Sequence, residues 1–297
     1  MDLEELFKCK DLTQSSIDSY KAKLKKLNDG KLIKNLNFLI NMETIQDKIK
    51  DFKPNTQRNY IISIASILKC FLNNNKNNKK MMKAYESYSK LLDDYNVKLK
   101  DQTAMTDTEE KNWLSKEELD KTYEELKANH KTNKQTFQNY LLLSLYYLQA
   151  PRRNKDYQAL KIATKYNDSL DNQFNYLDMK GKRFIFNNYK TAKKYNKQET
   201  NINDELYQIL IAYIKAFKLK DGDFLLNDLK TNEPYKNTNS ITLLLNRIFK
   251  KKVGASMLRK SYLTHKYGDQ VNELKQDMTA MGSSVEVANN NYIKRSN

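Results

Sequence analysis

Gly254-Ala-Ser-Met-Leu-Arg-Lys-Ser-Tyr-Leu-Thr-His265, followed by Met281-Gly-Ser-Ser284 and then by Tyr292, gathers side chains suited to phosphate near the end of this 297-residue chain. Arg259 offers a guanidinium whose paired donors match phosphate oxygens. Ser256 and Ser283 are small hydrogen-bond donors. Tyr292, nine residues after Ser283, carries a phenol able to attack as a nucleophile. No cluster of metal-ligating residues accompanies them, so neither a metal nor another cofactor is expected.

The composition outside this stretch agrees with a large anionic partner. With 53 Lys+Arg against 36 Asp+Glu the formal net charge is +17, and counterion release from DNA would supply much of the affinity. No stretch approaches the roughly 18 consecutive apolar residues of a membrane span. The N-terminus, Met-Asp-Leu-Glu-Glu, is acidic where a signal peptide is basic and then apolar. Cys9 and Cys70 are isolated, and with only His130 and His265 to assist they indicate neither a disulfide framework nor a zinc site. The expected setting is intracellular, with DNA. The wealth of Asn, Lys, Tyr and Ile hints at an AT-rich genome such as that of a virus, phage or mobile element.

The N-terminal third reads as helical. Thr13 caps a helix in which Ile17, Tyr20, Leu24 and Leu27 share one face, and Asn55-Thr56 caps a second with Tyr60, Ile64, Ile67 and Phe71. The polar run Asn73–Lys80 breaks the pattern, and Met81, Tyr85, Tyr88, Leu92 and Tyr95 line a third helix. Residues 1–100 form a helical N-terminal domain on this reading, residues 101–112 a linker without apolar periodicity, and residues 113–297 a second domain. That domain restarts at Ser115, with Glu118 three residues on as in a capping box. Phe137–Leu148 is an apolar core helix. Asn175–Asp178, a Lys180-Gly181-Lys182 turn and Phe184–Phe186 suggest two strands, with a third near Glu199–Ile202. The expected fold is mainly α with a small antiparallel β-sheet, the helices of the second domain wrapped on the sheet.

The C-terminal spacing resembles the closing box of the tyrosine recombinases, in which a histidine-x-x-arginine segment opens a helix, a Leu-Gly-His turn follows, and the nucleophilic tyrosine comes nine residues after that histidine. Arg259 takes the arginine position, Ser256 and Ser283 stand where the two histidines usually are, and Tyr292 takes the nucleophile position. The family's first arginine lies in a Thr-Gly-x-Arg-x-x-Glu-x-x-x-Leu segment after an apolar helix. Ala150-Pro-Arg-Arg-Asn-Lys-Asp-Tyr-Gln-Ala-Leu160 occupies that place. Counting back from Leu160 selects Arg153, with Asp156 at the acid position, and Arg152 is the alternative if the Pro151 turn shifts the register. The family's lysine sits beside a turn in the small sheet, where Lys190 is the best match and Lys193 and Lys194 are the substitutes.

The resemblance implies a helical core-binding domain followed by an α+β catalytic domain that cleaves and rejoins duplex DNA through a 3′-phosphotyrosine, as a homotetramer with a dimer on each site. Serine at 256 cannot accept a proton at neutral pH as histidine does, and Ser283 loses the imidazole that orients phosphate. His265 falls where the family's histidine is structural. Five residues beyond Tyr292 leave little room for the C-terminal helix that many relatives donate to a neighbour. Two other readings share the pattern. One is a type IB topoisomerase or telomere resolvase, and the other is a DNA-binding protein that keeps the fold with weakened catalysis.

Overall fold

A computed structural model describes residues 1–99 and 104–294, and the chain divides into two compact units, Met1–Met105 and Thr106–Asn297. Residues 101–103, where the linker was expected to open, lie outside the described residues. Its remainder is partly helical, as set out below.

The described residues of the first unit form five α-helices, α1 (Leu3–Phe7), α2 (Gln14–Leu27), α3 (Met42–Ile49), α4 (Pro54–Asn74) and α5 (Lys79–Lys98). Thr13 caps α2 by accepting from Ser16 N–H at 3.4 Å. The apolar stripes read from the sequence face inward, with Ile17, Leu24 and Leu27 of α2 buried against Ile64 and Ile67 of α4 and Tyr88 of α5. Full burial of each such side chain contributes about 1.5–3 kcal/mol. Helix α4 begins earlier than expected. Pro54 occupies its first turn, where the missing N–H costs nothing, and neither Asn55 nor Thr56 caps it. The expectation for the cysteines is corrected too. Packing of α1 on α4 brings Cys9 and Cys70 to a Cα separation of 5.6 Å, and they form a disulfide across 61 positions of sequence.

The second unit opens inside the stretch read as linker. Thr106 and Glu109 make a reciprocal capping box for α6 (Asp107–Asn112), and Ser115 caps α7 (Lys116–Asn129) by accepting from Glu118 N–H. The Glu118 carboxylate does not turn back to that cap. It pairs with Lys251 at 2.6 Å. Helix α8 (Lys134–Tyr147) is buried nearly all round and forms the centre of the core, with α9 (Asn154–Gln158) after it.

A four-stranded sheet of order β1 (Leu160–Ala163), β2 (Asn175–Asp178), β3 (Arg183–Phe186) and β4 (Gln198–Asn201) follows. Strands β2, β3 and β4 are antiparallel, as expected, but β1 joins β2 in parallel, so the sheet is mixed. At the β2–β3 hairpin Asp178 accepts from Arg183 at 3.0 Å. Burial pushes the Asp178 carboxyl up, but N–H groups of Gly181 and Tyr166 and the Arg183 guanidinium outweigh it and hold it below its ordinary range. Between β3 and β4 the chain makes one short helix, α10 (Ala192–Tyr195), and then continues through α11 (Asp204–Phe217) and α12 (Thr238–Phe249).

The last long element is α13 (Ala255–Ala280), of 26 residues. Its base is buried through Ala255, Met257, Leu258 and Ser261. Its end is closed by Gly282 at φ +67°, with Gly282 N–H donating to Thr279 O at 3.0 Å and Ser283 N–H to Met278 O at 2.8 Å. These two bonds are the Schellman pair that satisfies the last carbonyls of a helix, and they need the left-handed backbone that glycine adopts freely. Short helix α14 (Val285–Val287) and a wide helical turn, Ala288–Tyr292, end the described chain. No described helix is long and apolar enough to cross a membrane.

The base of α13 and the loop entering it clasp the start of the same unit. Lys252 N–H donates to Asn112 Oδ1 at 2.9 Å and Lys251 Nζ to Trp113 O at 3.2 Å. The carbonyl of Leu114 accepts from both Ser261 Oγ, at 3.2 Å, and His265 Nε2, at 3.0 Å. His265 also packs edge-on against Trp113. The histidine is thereby bound to the α6–α7 corner.

Candidate phosphate-binding site

Pro151 excludes helical backbone from the residue before it, so α8 stops and the chain runs extended until Arg153, whose φ of −77° and ψ of 153° place it at the N-cap of α9. Arg152 is fully engaged. Its Nε donates to Asp156 Oδ2 at 2.8 Å, both terminal nitrogens reach Gln198 Oε1 at 3.1 Å, and its guanidinium lies 3.7 Å from the centre of the Phe186 ring. The Arg153 side chain has no hydrogen-bond or ion-pair partner among the described residues.

Arg259, one turn into α13, is likewise without an acceptor, and it lines the same cavity as Arg153. That cavity has a volume of 470 Å³ and is walled by Gln149, Ala150 and Pro151 after α8, by Arg152 and Asp156, and by Tyr189, Thr191, Tyr195, Gln198 and Thr200 from the β3–β4 connection and β4. Two guanidinium groups separated by 106 positions of sequence therefore meet at one opening with no protein carboxylate bound to either. The only acid in the wall is Asp156. It is 1% exposed, burial pushes its carboxyl up, and Arg152 and Arg153 oppose that rise. Its Oδ1 has no hydrogen-bond partner. The cavity thus has the positive character and the free planar donors that bind a phosphodiester.

The other candidates lie outside this wall. Lys190 is exposed in the turn before α10, and its neighbours Tyr189 and Thr191 line the cavity while it does not. Ser256 is exposed one turn before Arg259. Ser283 is half-buried in the Schellman turn, and Tyr292 is 63% exposed at the end of the terminal helical turn. Helix α13 runs unbroken across Gly268 and carries Ala280 about 32 Å along the axis from Arg259 at about 1.5 Å per residue before the chain turns at Gly282. A tyrosine that the sequence reading did not single out takes a place in the wall instead. Tyr195 is 53% exposed, sits at the end of α10, and has Lys194 over its ring. Its signal was one tyrosine among 20, in Lys193-Lys194-Tyr195, with no distinctive spacing.

A second hollow, of 770 Å³, lies where α6 meets the end of α12, and Lys111, Lys250, Lys251 and Lys252 face Asp107 across it. Glu118 neutralises Lys251, whereas Lys111, Lys250 and Lys252 have no carboxylate partner among the described residues.

No family model and no curated protein matches the chain. Among solved structures, that of XerA recombinase is similar over 89% of this chain and 81% of that chain, at 14% sequence identity and a TM-score of 0.36.

Proposed function

We propose that the chain is a site-specific tyrosine recombinase or integrase that cleaves and rejoins duplex DNA. The observation that carries this reading is the meeting of Arg153 and Arg259, both without protein acceptors, at one cavity. Two guanidiniums there would hold the non-bridging oxygens of a scissile phosphate and stabilise the charge that builds on the pentavalent phosphorus. The Tyr292 oxygen attacks phosphorus, the bond from phosphorus to the 5′ oxygen breaks, and that oxygen takes a proton from Lys190. The product is a 3′-phosphotyrosine with a free 5′ hydroxyl, and attack by a second 5′ hydroxyl reverses the step on a new partner. Ser256, one turn from Arg259, and Ser283 supply hydrogen bonds rather than imidazoles, so the phenol proton leaves to water or to substrate phosphate. Working as a tetramer, with a dimer on each DNA site, is part of the same proposal.

The test is a covalent adduct. Duplex DNA from the element's own ends, nicked near the cut so that the freed fragment escapes, is incubated with the protein in EDTA and then denatured. We expect a protein–DNA adduct that maps to Tyr292 and disappears in Tyr292→Phe, with DNA binding kept. Mapping to Tyr195, which lines the cavity, would move the nucleophile and overturn the assignment. Binding without any adduct on authentic ends would reduce the chain to a DNA-binding protein.

A further inference from the structure

Arg153 lies just beyond the C-terminal end of α8, and a third hollow of the second unit lies at the N-terminal end of the same helix. Its 14 residues, at about 1.5 Å each, put roughly 21 Å of helix between the two places. The hollow has a volume of 690 Å³, and its floor is aromatic. Phe137 of α8 is 8% exposed and meets the Phe217 ring of α11 edge-on at 6.2 Å. Both rings pack on Tyr213, Phe137 edge-on at 5.3 Å and Phe217 stacked at 4.1 Å. His130 stands beside them, edge-on to Phe137 at 5.0 Å. Its Nδ1 donates to the Lys127 carbonyl at 2.6 Å, since a carbonyl can only accept. Ala212 and Ala216, one turn apart on α11, line the hollow with methyl groups alone, and Phe217 stays half-buried.

The rim is cationic. Lys131 comes from the α7–α8 connection, Lys134 from the first turn of α8 and Lys215 from the last turn of α11, and all three are exposed. No acid lines the hollow, and none of these lysines has a carboxylate partner among the described residues. Lys134 Nζ lies instead 5.7 Å from the centre of the Phe217 ring. The first turn of α8 carries no acidic residue, so the positive end of that helix adds to the same field. A lone surface lysine is a solvated charge. Three of them around an aromatic floor offer apolar contact in the middle and attraction for anions at the edge.

Duplex DNA suits only the edge, because its bases are stacked inside and present no ring to the floor. An unstacked base of a single strand needs an open ring face. Neither ring provides one, since Phe137 is buried and Phe217 has Tyr213 stacked on it and Lys134 over it. An aromatic side chain needs no such face, because it packs edge-on as these rings already do. We infer that the hollow docks an acidic segment of a partner protein, with one Phe or Trp side chain seated on Phe137 and Phe217 and flanking Asp and Glu paired with Lys131, Lys134 and Lys215. Such docking is independent of the chemistry proposed at Arg153 and Arg259, and it leaves that cavity open.

Fluorescence anisotropy on the full chain tests the docking, with short labelled peptides of Asp and Glu around a central Phe, Trp or Ser. The Phe and Trp peptides should bind at least about tenfold more tightly than the Ser peptide, the gain expected from burying one ring. Ala212→Trp fills the hollow without a change of charge, and it should erase that preference while duplex DNA binding is kept. Lys131→Gln, Lys134→Gln and Lys215→Gln together should weaken all three peptides by about tenfold or more. Circular dichroism of both variants should match the wild type. Equal affinity for the Phe, Trp and Ser peptides overturns the docking site and leaves only the general attraction of acids to a basic chain. A preference that survives Ala212→Trp places the site elsewhere and overturns it as well. Loss of oligothymidylate binding in Ala212→Trp, with no preference for Phe or Trp, would assign the hollow to single-stranded nucleic acid instead.

Discussion

Arg152 and Arg153 are adjacent, identical in chemistry and opposite in role. Arg152 sits between a carboxylate, an amide oxygen and an aromatic face, so it holds the wall together. Arg153 has none of these, so its charge is available to a ligand. Arg152→Ala leaves Asp156 buried and uncompensated and should cost about 3 kcal/mol of unfolding free energy. Arg153→Ala should cost less than about 0.5 kcal/mol, the usual range for a substitution that breaks no packing or pairing, while removing adduct formation. Urea denaturation of both variants beside the cleavage assay checks the division. The pH dependence follows from burial. The Asp156 carboxyl is raised in the folded protein, so the folded state binds its proton at pH values where the unfolded chain has already lost it. Stability from this group is therefore fullest in acid and declines as pH rises through the folded value. Without Arg152 that value rises further, so the deficit of Arg152→Ala should shrink toward low pH and widen toward neutrality. A deficit constant with pH would mean that Asp156 is not its origin. Both arginines were legible in the sequence from their place after an apolar helix. Counting back from Leu160 also favoured Arg153 over Arg152, but the anchoring of Arg152 was not legible, because it depends on Gln198 and Phe186 arriving from the sheet.

The β2–β3 hairpin shows what an element needs from one residue. A Cβ at Gly181 would lie 2.9 Å from Arg183 Nε and closer still to Asp178 Oδ2, so a side chain there forces apart the pair that closes the hairpin. Gly181→Ala should destabilise the second unit by about 1–3 kcal/mol, as overpacking does. Amide exchange should speed up first along Arg183–Phe186, and protection unchanged there would show that the hairpin accommodates the methyl. The Lys-Gly-Lys turn and the flanking strands were readable because turn residues punctuate a β-branched and aromatic run. Strand β1 was not. Leu160-Lys-Ile-Ala163 continues a helical stretch without punctuation and becomes a strand only because β2 and Phe224 offer backbone partners. The Cys9–Cys70 bridge escaped for a related reason, since α1 has five residues and no periodicity from which its docking on α4 could be foreseen. The continuity of α13 across Gly268 also lay beyond local pattern.

Across the molecule the excess of positive charge sets the binding law. Arg153 and Arg259 at one cavity and Lys111, Lys250 and Lys252 at another give at least five cations without carboxylate partners among the described residues of the second unit. Neutralising about six phosphates should lower DNA affinity by roughly a thousandfold between about 50 and 200 mM salt. A titration with a log–log slope shallower than about −3 would contradict that count. The clasp between residues 112–114 and residues 251–265 has a bearing on how the protein is made. The carbonyls of Trp113 and Leu114 find their donors 138 to 151 positions later in the chain. At about 5–20 residues per second, a ribosome that has just released this corner needs roughly 7–30 seconds more to supply them. Helices α6 and α7 therefore emerge early and stay open longest. The first unit has no such wait, since its longest cross-link spans 61 positions. Nascent chains halted near residue 240 should accordingly carry a protease-resistant first unit and a corner at 106–130 that is still cut.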